Sequence, residues 1–210
     1  MDFTSTIDKE IKTLCSALPG LNKHPFSIIA IIRIMAAVQI VRLKPEEWQL
    51  YRQIRLEALL LEPQAFGSSY AENLQRPDAY WQERLAEAHT AEKGWLLFAR
   101  MADKGIIGMV AAHAAGEKDE VDIISVYVRK EDRGGGVATA LMAAILAEVC
   151  KEHTFQKAIL TVNVDQNEAI ALYRRFDFQI VAEENSVLGD GKLHPDYRME
   201  KEFERAGDPI

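Results

Sequence analysis

Arg133-Gly134-Gly135-Gly136-Val137-Ala138 stands between a β-branched apolar run, Val121–Val128, and an apolar-periodic stretch that reaches about Glu152. The run reads as a strand and the periodic stretch as a long helix, so the glycines occupy a strand-to-helix junction. A helix N-terminus presents unpaired backbone N–H groups and a partial positive charge, both suited to phosphate. Glycine lets the backbone curl round an anion and removes side chains from its path. From the residues alone the stretch reads either as such a cradle or as a plain flexible turn. It is not a P-loop, because no Gly-Lys-Ser/Thr closes it. It is not a dinucleotide fingerprint, because the glycine spacing differs and the preceding strand comes late in the chain.

Upstream, Val38–Leu43 reads as a first strand that ends before Pro45. Pro45–Leu61 reads as a helix with Pro near its start, where the missing N–H costs little. Leu50, Ile54, Ala58 and Leu61 recur at helical spacing and are expected to face a core. Pro63 ends that helix, and Ala65–Tyr70 reads as a loop or helix edge. Asp78–Ala88 is a second helix, with Trp81 and Leu85 on one side. Trp95–Arg100 and Ile106–Ala112 flank Lys104-Gly105 and form an expected hairpin. Downstream of the glycines come a strand, Ala158–Val164, and a short helix, Asn167–Phe176. Two final strands, Phe178–Ala182 and Tyr197–Phe203, are joined by a loop containing Gly189-Asp190-Gly191. The order β-α-α-β-β-β-α-β-α-β-β predicts a mixed α/β sheet with helices on its faces.

The chain has 210 residues, 48% of them hydrophobic and 27% charged, which fits one globular domain with an extension and excludes a disordered chain. Its formal net charge of −7 argues against a general nucleic-acid binder, whose affinity comes from neutralising phosphates, and suits a cationic small substrate better. The two cysteines, Cys15 and Cys150, make neither a disulfide framework nor a zinc site, so a reducing cytoplasm is the expected compartment. His24, His89, His113, His153 and His194 show no metal-ligand spacing, and no metal is expected.

Residues 1–37 differ from the rest. A polar stretch is followed by the apolar run Ser27–Val38, interrupted by Arg33. That run is shorter than the roughly 20 residues a bilayer-spanning helix needs, and it lies too far along the chain for a secretory signal. The expected organisation is an extension over 1–37, partly helical, a domain over 38–204 and a short tail over 205–210. Met35 lies just ahead of the first strand, and residues 1–34 are expected to be dispensable for ligand binding.

Val128-Arg-Lys-Glu-Asp-Arg133-Gly-Gly-Gly-Val-Ala138 resembles the acetyl-CoA-binding motif of the GNAT superfamily, the Gcn5-related N-acetyltransferases. The motif reads Arg/Gln-x-x-Gly-x-Gly/Ala, matched by Arg133, Gly136 and Ala138. The family's second motif is matched by Leu160-Thr-Val-Asn163, Asn167-Glu-Ala169, Leu172-Tyr173 and Asp177-Phe178. The resemblance spans about residues 39–203 and implies the GNAT fold, a mixed, mostly antiparallel sheet flanked by helices. One position departs from the pattern: the glycine usual before the Phe is Asp177. That position often needs a left-handed backbone, which Asp tolerates better than most residues.

The resemblance implies an enzyme in which an acceptor amine attacks the thioester of acetyl-CoA directly. It implies that Val126, Tyr127, Val128, Arg133, Gly134, Gly135, Gly136, Val137, Ala138, Thr139 and Asn167 bind the cofactor, with the loop amides on its pyrophosphate. Tyr173 is the implied proton donor to the departing thiolate; the competing reading is a half-buried packing residue. Asn167 is expected to cap its helix and approach the cofactor. Asp122, or Glu120 two residues earlier, is the expected proton acceptor, against an ordinary strand-start carboxylate or a water chain. Phe66, Ser69, Tyr70 and Tyr197 are expected to line the acceptor pocket. The expected partner is a small-molecule or peptide amine, with neither nucleic acid nor membrane, and a homodimer is one arrangement the family allows. The alternatives are a catalytically silent CoA-binding or sensory module on the same fold, and a transferase of a larger acyl group.

Overall fold

A computed structural model of the chain describes residues 38–88, 94–116, 119–152 and 154–203. The extension over 1–37 and the tail over 205–210 lie outside the described residues. The first strand, β1 (Val38–Val41), is shorter than expected, because Arg42 leaves the sheet to reach Glu148 at 2.8 Å. A 3-10 turn, Pro45–Glu47, leads into α1 (Trp48–Leu61), and a second, Pro63–Ala65, follows it. Tyr51, Ile54, Ala58 and Leu59 form the buried stripe of α1. Leu61 was expected to join it but is 61% exposed, because the helix ends there and the chain turns away at Glu62.

The stretch read as a loop or helix edge continues into a short helix, α2 (Tyr70–Leu74). Its start is set by a capping box in which Ser69 and Glu72 satisfy each other's backbone N–H groups. In α3 (Asp78–Glu87), Trp81 and Leu85 are fully buried, as their spacing predicts. Then follow β2 (Trp95–Met101), β3 (Gly105–Ala114), β4 (Glu120–Val128), α4 (Val137–Cys150), β5 (Lys157–Asn163), α5 (Asn167–Arg175), β6 (Gln179–Val187) and β7 (Leu193–Glu202). The β6–β7 hairpin is longer than its sequence signal. Most β6 side chains are exposed, so no apolar alternation marks it; backbone pairing to β7 makes it a strand.

The strands form one sheet in the order β1-β2-β3-β4-β5-β7-β6. Every pairing is antiparallel except β4 with β5, which is parallel and is connected through α4. Helices α4 and α5 cover one face through a core that includes Leu141, Met142, Ile145, Leu146 and Phe178. Helices α1 and α3 cover the other face through Ile54, Leu59, Trp81, Leu85 and Phe98. On that face the Tyr51 ring meets Trp81 and Phe98 edge-on, with centroids 5.3 and 5.7 Å away. Among the described residues no helix is long and apolar enough to cross a membrane.

Candidate active site

The parallel pair at the sheet's centre comes apart along its length. Only Glu120, Val121 and Asp122 of β4 find partners on β5, namely Lys157, Ala158 and Ile159. Both strands run on, to Val128 and Asn163. The cause lies in β4, which carries an extra residue against β3: Met109 and Ala111 are paired with Tyr127 and Ile124. The bulge holds Ser125 at a left-handed φ of 59°. A bulge bends its strand and increases its twist, which here leaves the β5-facing edge of β4 unpaired beyond Asp122. The result is a notch edged by backbone groups with no partner in the sheet.

The glycine loop sits at the end of the same strand. After a 3-10 turn, Lys130–Asp132, Gly134 and Gly136 take left-handed φ values of 75° and 84°. Gly136 is the N-cap of α4 and supplies no side-chain acceptor, so the amides of the first turn point out of the helix end. A β-carbon on Gly134 would meet no atom within 4 Å, so the loop is open on that side. The loop is braced from behind. Arg133 Nε donates to Val128 O at 2.9 Å, and its guanidinium also pairs with Glu62. Lys104 Nζ holds Asp132 at 2.5 Å. An uncapped helix start, two left-handed glycines and the unpaired edge of β4 fit a pyrophosphate followed by an amide-bearing arm.

Tyr173 lies on α5 with its ring buried in the α4–α5 core, edge-on to Phe178 at 6.2 Å. Burial holds its pKa well above the ordinary tyrosine value, so it keeps its proton throughout the neutral range. Asp177 has the left-handed φ, 66°, that its place before Phe178 predicts. Asn167 corrects an expectation: it is the first residue of α5, not its cap. The cap is Gln166, and Asn167 Nδ2 reaches back to Asp165 O at 3.4 Å.

The two carboxylates proposed as base have different surroundings. Glu120 is buried between cations, with Lys157 Nζ at 2.6 Å and Arg198 Nη2 at 3.4 Å. Asp122, on the last rung before the notch, is only partly buried and faces His113 across the β3–β4 ladder. Burial raises its pKa above the ordinary aspartate value, while the charges of His113 and Arg198 pull it part of the way back. The arrangement ties Glu120 into an ion-pair cluster, whereas Asp122 makes no ion pair among the described residues.

The model of the acetyltransferase (GNAT) family matches residues 50–178. The chain belongs to this family. It is an acyltransferase of the N-acetyltransferase class, and its sheet matches solved GNAT structures. An N-alpha-acetyltransferase of Saccharolobus solfataricus is 24% identical over 114 residues, covering 50% of this chain and 68% of that one. A GNAT acetyltransferase from Streptococcus pneumoniae shares the fold at a TM-score of 0.63 and 17% identity, over 79% of this chain and 99% of the other. The PaiA N-acetyltransferase from Thermoplasma acidophilum, in complex with coenzyme A, does so at 0.57 and 15%, over 80% and 99%.

In this GNAT domain the side chains flanking the loop divide between the faces of the sheet. Val126 and Val128 pack with the α4–α5 core, whereas Tyr127 enters the α1–α3 core and its hydroxyl donates to Glu57 at 3.1 Å. What remains of Tyr127 for a cofactor is its backbone. On the acceptor side, Phe66 is buried against Tyr127, with ring centroids 6.5 Å apart. Tyr70 packs on the same core. Ser69 spends its hydroxyl on capping α2, accepting from Glu72 N at 3.2 Å. Tyr197 packs against the α4–α5 core. Asp122 alternates with Val121 and Ile123, which enter that core, so Tyr197 and Asp122 occupy opposite faces of the sheet. The 63–68 loop is pinned by the β6–β7 hairpin tip, where Gly189 N donates to Phe66 O at 2.7 Å. Two residues went unnoticed in the sequence. Arg198 lies on the solvent-broken strand β7, and Arg55 on an amphipathic helix where arginine is ordinary.

Proposed function

We propose that the chain moves the acetyl group of acetyl-CoA to a primary amine of a small molecule, amino acid or peptide by direct attack. The parting of β4 from β5 beside an uncapped helix start carries this reading. The amides of Gly134 to Thr139 hold the pyrophosphate, with Arg133 bracing the loop, and the open edge of β4 holds the pantetheine arm. Bound acetyl-CoA supplies a thioester carbonyl open to a nucleophile. A protonated alkylamine has no lone pair for that attack, so Asp122 takes its proton, directly or through one water. Tyr173 gives its proton to the leaving sulfur as the carbon–sulfur bond breaks, and burial keeps the phenol protonated until then. The relative named N-alpha-acetyltransferase keeps a peptide N-terminus among the acceptors.

Thermal shift against acetyl-CoA, CoA, ATP and NAD, with thiol release over a panel of amines, tests the reading. Stabilisation by the two CoA species and amine-dependent thiol release are expected. No shift with millimolar acetyl-CoA overturns it.

A further inference from the structure

A guanidinium stays charged at physiological pH, and burying one is costly unless an anion faces it. This acidic chain supplies that anion to several of its arginines. Arg42 pairs with Glu148, Arg100 with Glu47, Arg129 with Glu57, Arg133 with Glu62 and Arg198 with Glu200. Arg55, on α1, differs. It is mostly buried, yet among the described residues no carboxylate forms an ion pair with it. Nη1 donates to Ser125 Oγ at 3.2 Å and Nη2 to Ser68 Oγ at 2.9 Å, and the Phe66 ring lies 4.9 Å from its central carbon. Burial lowers its pKa from the ordinary arginine value; the nearby titrating groups that act on it are Tyr51, Tyr80 and Arg84, none of them a carboxylate.

The two hydroxyls are placed by features already described. Ser125 is the left-handed residue of the bulge, three positions beyond Asp122 and past the last β4–β5 pair. Ser68 lies in the loop pinned by Gly189. Arg55 therefore stands at the mouth of the notch, on the α1 face of the sheet. The pyrophosphate is assigned to the glycine loop at the start of α4, and Arg55 bonds no residue of that loop. A guanidinium offers five N–H donors in a fork that matches a carboxylate, and here two of them rest on neutral hydroxyls. Those hydroxyls can rotate and donate to the same anion.

We propose that Arg55, with Ser68 and Ser125, binds a carboxylate on the acceptor itself, so that the acceptor is an amine bearing a carboxylate a few bonds from its nitrogen. The proposal rests on the acetyl-transfer reading above and names its substrate class. The carboxylate has two sources, the α-carboxylate of a free amino acid or the side chain of an acidic first residue of a peptide.

The test compares matched acceptors in a thiol-release assay with acetyl-CoA. Glycine, alanine, aspartate and glutamate are set against their α-amides, and peptides beginning with Asp or Glu against those beginning with Asn or Gln. The carboxylated member is expected to be faster in kcat/KM by about 10-fold or more, the effect of one charge-assisted hydrogen bond. Arg55→Met is expected to bring that ratio close to one, chiefly through KM. Preference for the free amino acids assigns the α-carboxylate; preference for acidic peptides assigns the side chain. If no carboxylated amine outruns its neutral partner, or if a folded Arg55→Met keeps the full ratio, the proposal is overturned. The wild-type comparison decides alone should the variant not fold. Acetyl-CoA thermal shift is read in parallel: a normal shift with no acid preference removes this proposal only, whereas no shift removes the transferase reading beneath it.

Discussion

Lys157 Nζ lies 2.6 Å from Glu120 Oε1, joining β5 to β4 at the first of the three rungs that hold these strands together. The pair sits two rungs behind the notch, and Asp122 sits at its apex, where the strands part. Different roles for the two carboxylates are therefore expected. Glu120→Gln leaves Lys157 and Arg198 short of an anion and is expected to lower stability by about 1–3 kcal/mol. Its effect on kcat/KM should be small. Asp122→Asn should retain acetyl-CoA binding and lose about 10²–10⁴-fold in kcat/KM. Urea denaturation and steady-state kinetics on both variants check this, and the reverse pattern would make Glu120 the base.

Asp122 also makes stability depend on pH. Burial raises its folded pKa above the unfolded value. Between the two values the native state binds more protons, so stability falls as pH rises through that window, and the cost is fully present above the folded pKa. Asp122→Asn removes the cost. The variant is therefore expected to have the higher urea midpoint at pH 7, with the difference shrinking as pH falls toward the ordinary aspartate range. A difference that grows on acidification would contradict the assignment.

Tyr173→Phe deletes one oxygen from a ring held edge-on to Phe178 at 6.2 Å, so the core should survive. Acetyl-CoA should bind nearly as before while turnover falls by about 10²–10⁴-fold. Single-turnover thiol release, which isolates the chemical step, is the measurement. Unchanged turnover would leave Tyr173 a packing residue.

Gly136 caps α4 at φ 84°, where a β-branched residue is strained by about 1–2 kcal/mol and its side chain would crowd the outward amides. Saturating acetyl-CoA at 100 times Kd should stabilise the wild type by about 2.7 kcal/mol. Gly136→Val is expected to lose that increment as well as some intrinsic stability. Melting with and without acetyl-CoA separates the two effects.

Asp177 is left-handed at φ 66° and within 3.6 Å of Lys201 Nζ. Asp177→Val should destabilise by about 1–2 kcal/mol, whereas Asp177→Gly should stay within about 1 kcal/mol of wild type, because only glycine adopts that conformation without strain. Denaturant midpoints of the two variants check the contrast.

Much of the domain is local in origin and is legible in the sequence. The glycines at 134–136 break the chain between a β-branched run and an apolar-periodic one, and Asp177 marks a turn after a nine-residue helix. Such features depend on residues within a few positions, which sequence reading sees. The β6–β7 hairpin escaped because its side chains mostly face water, and its pairing is made by backbone groups that every residue possesses. The site's finer assignments escaped for another reason. Whether Glu120 or Asp122 is free depends on Lys157 and Arg198, far along the chain, and the face occupied by Tyr197 depends on where β7 begins. The notch exists because β4 carries one residue too many for its register with β3, and Arg55 has no carboxylate partner among the described residues because of what folds around it. Helix starts, turns and periodicity are properties of short segments; charge pairing, strand register and the side of a sheet are properties of contacts between distant ones, and only folding makes those contacts.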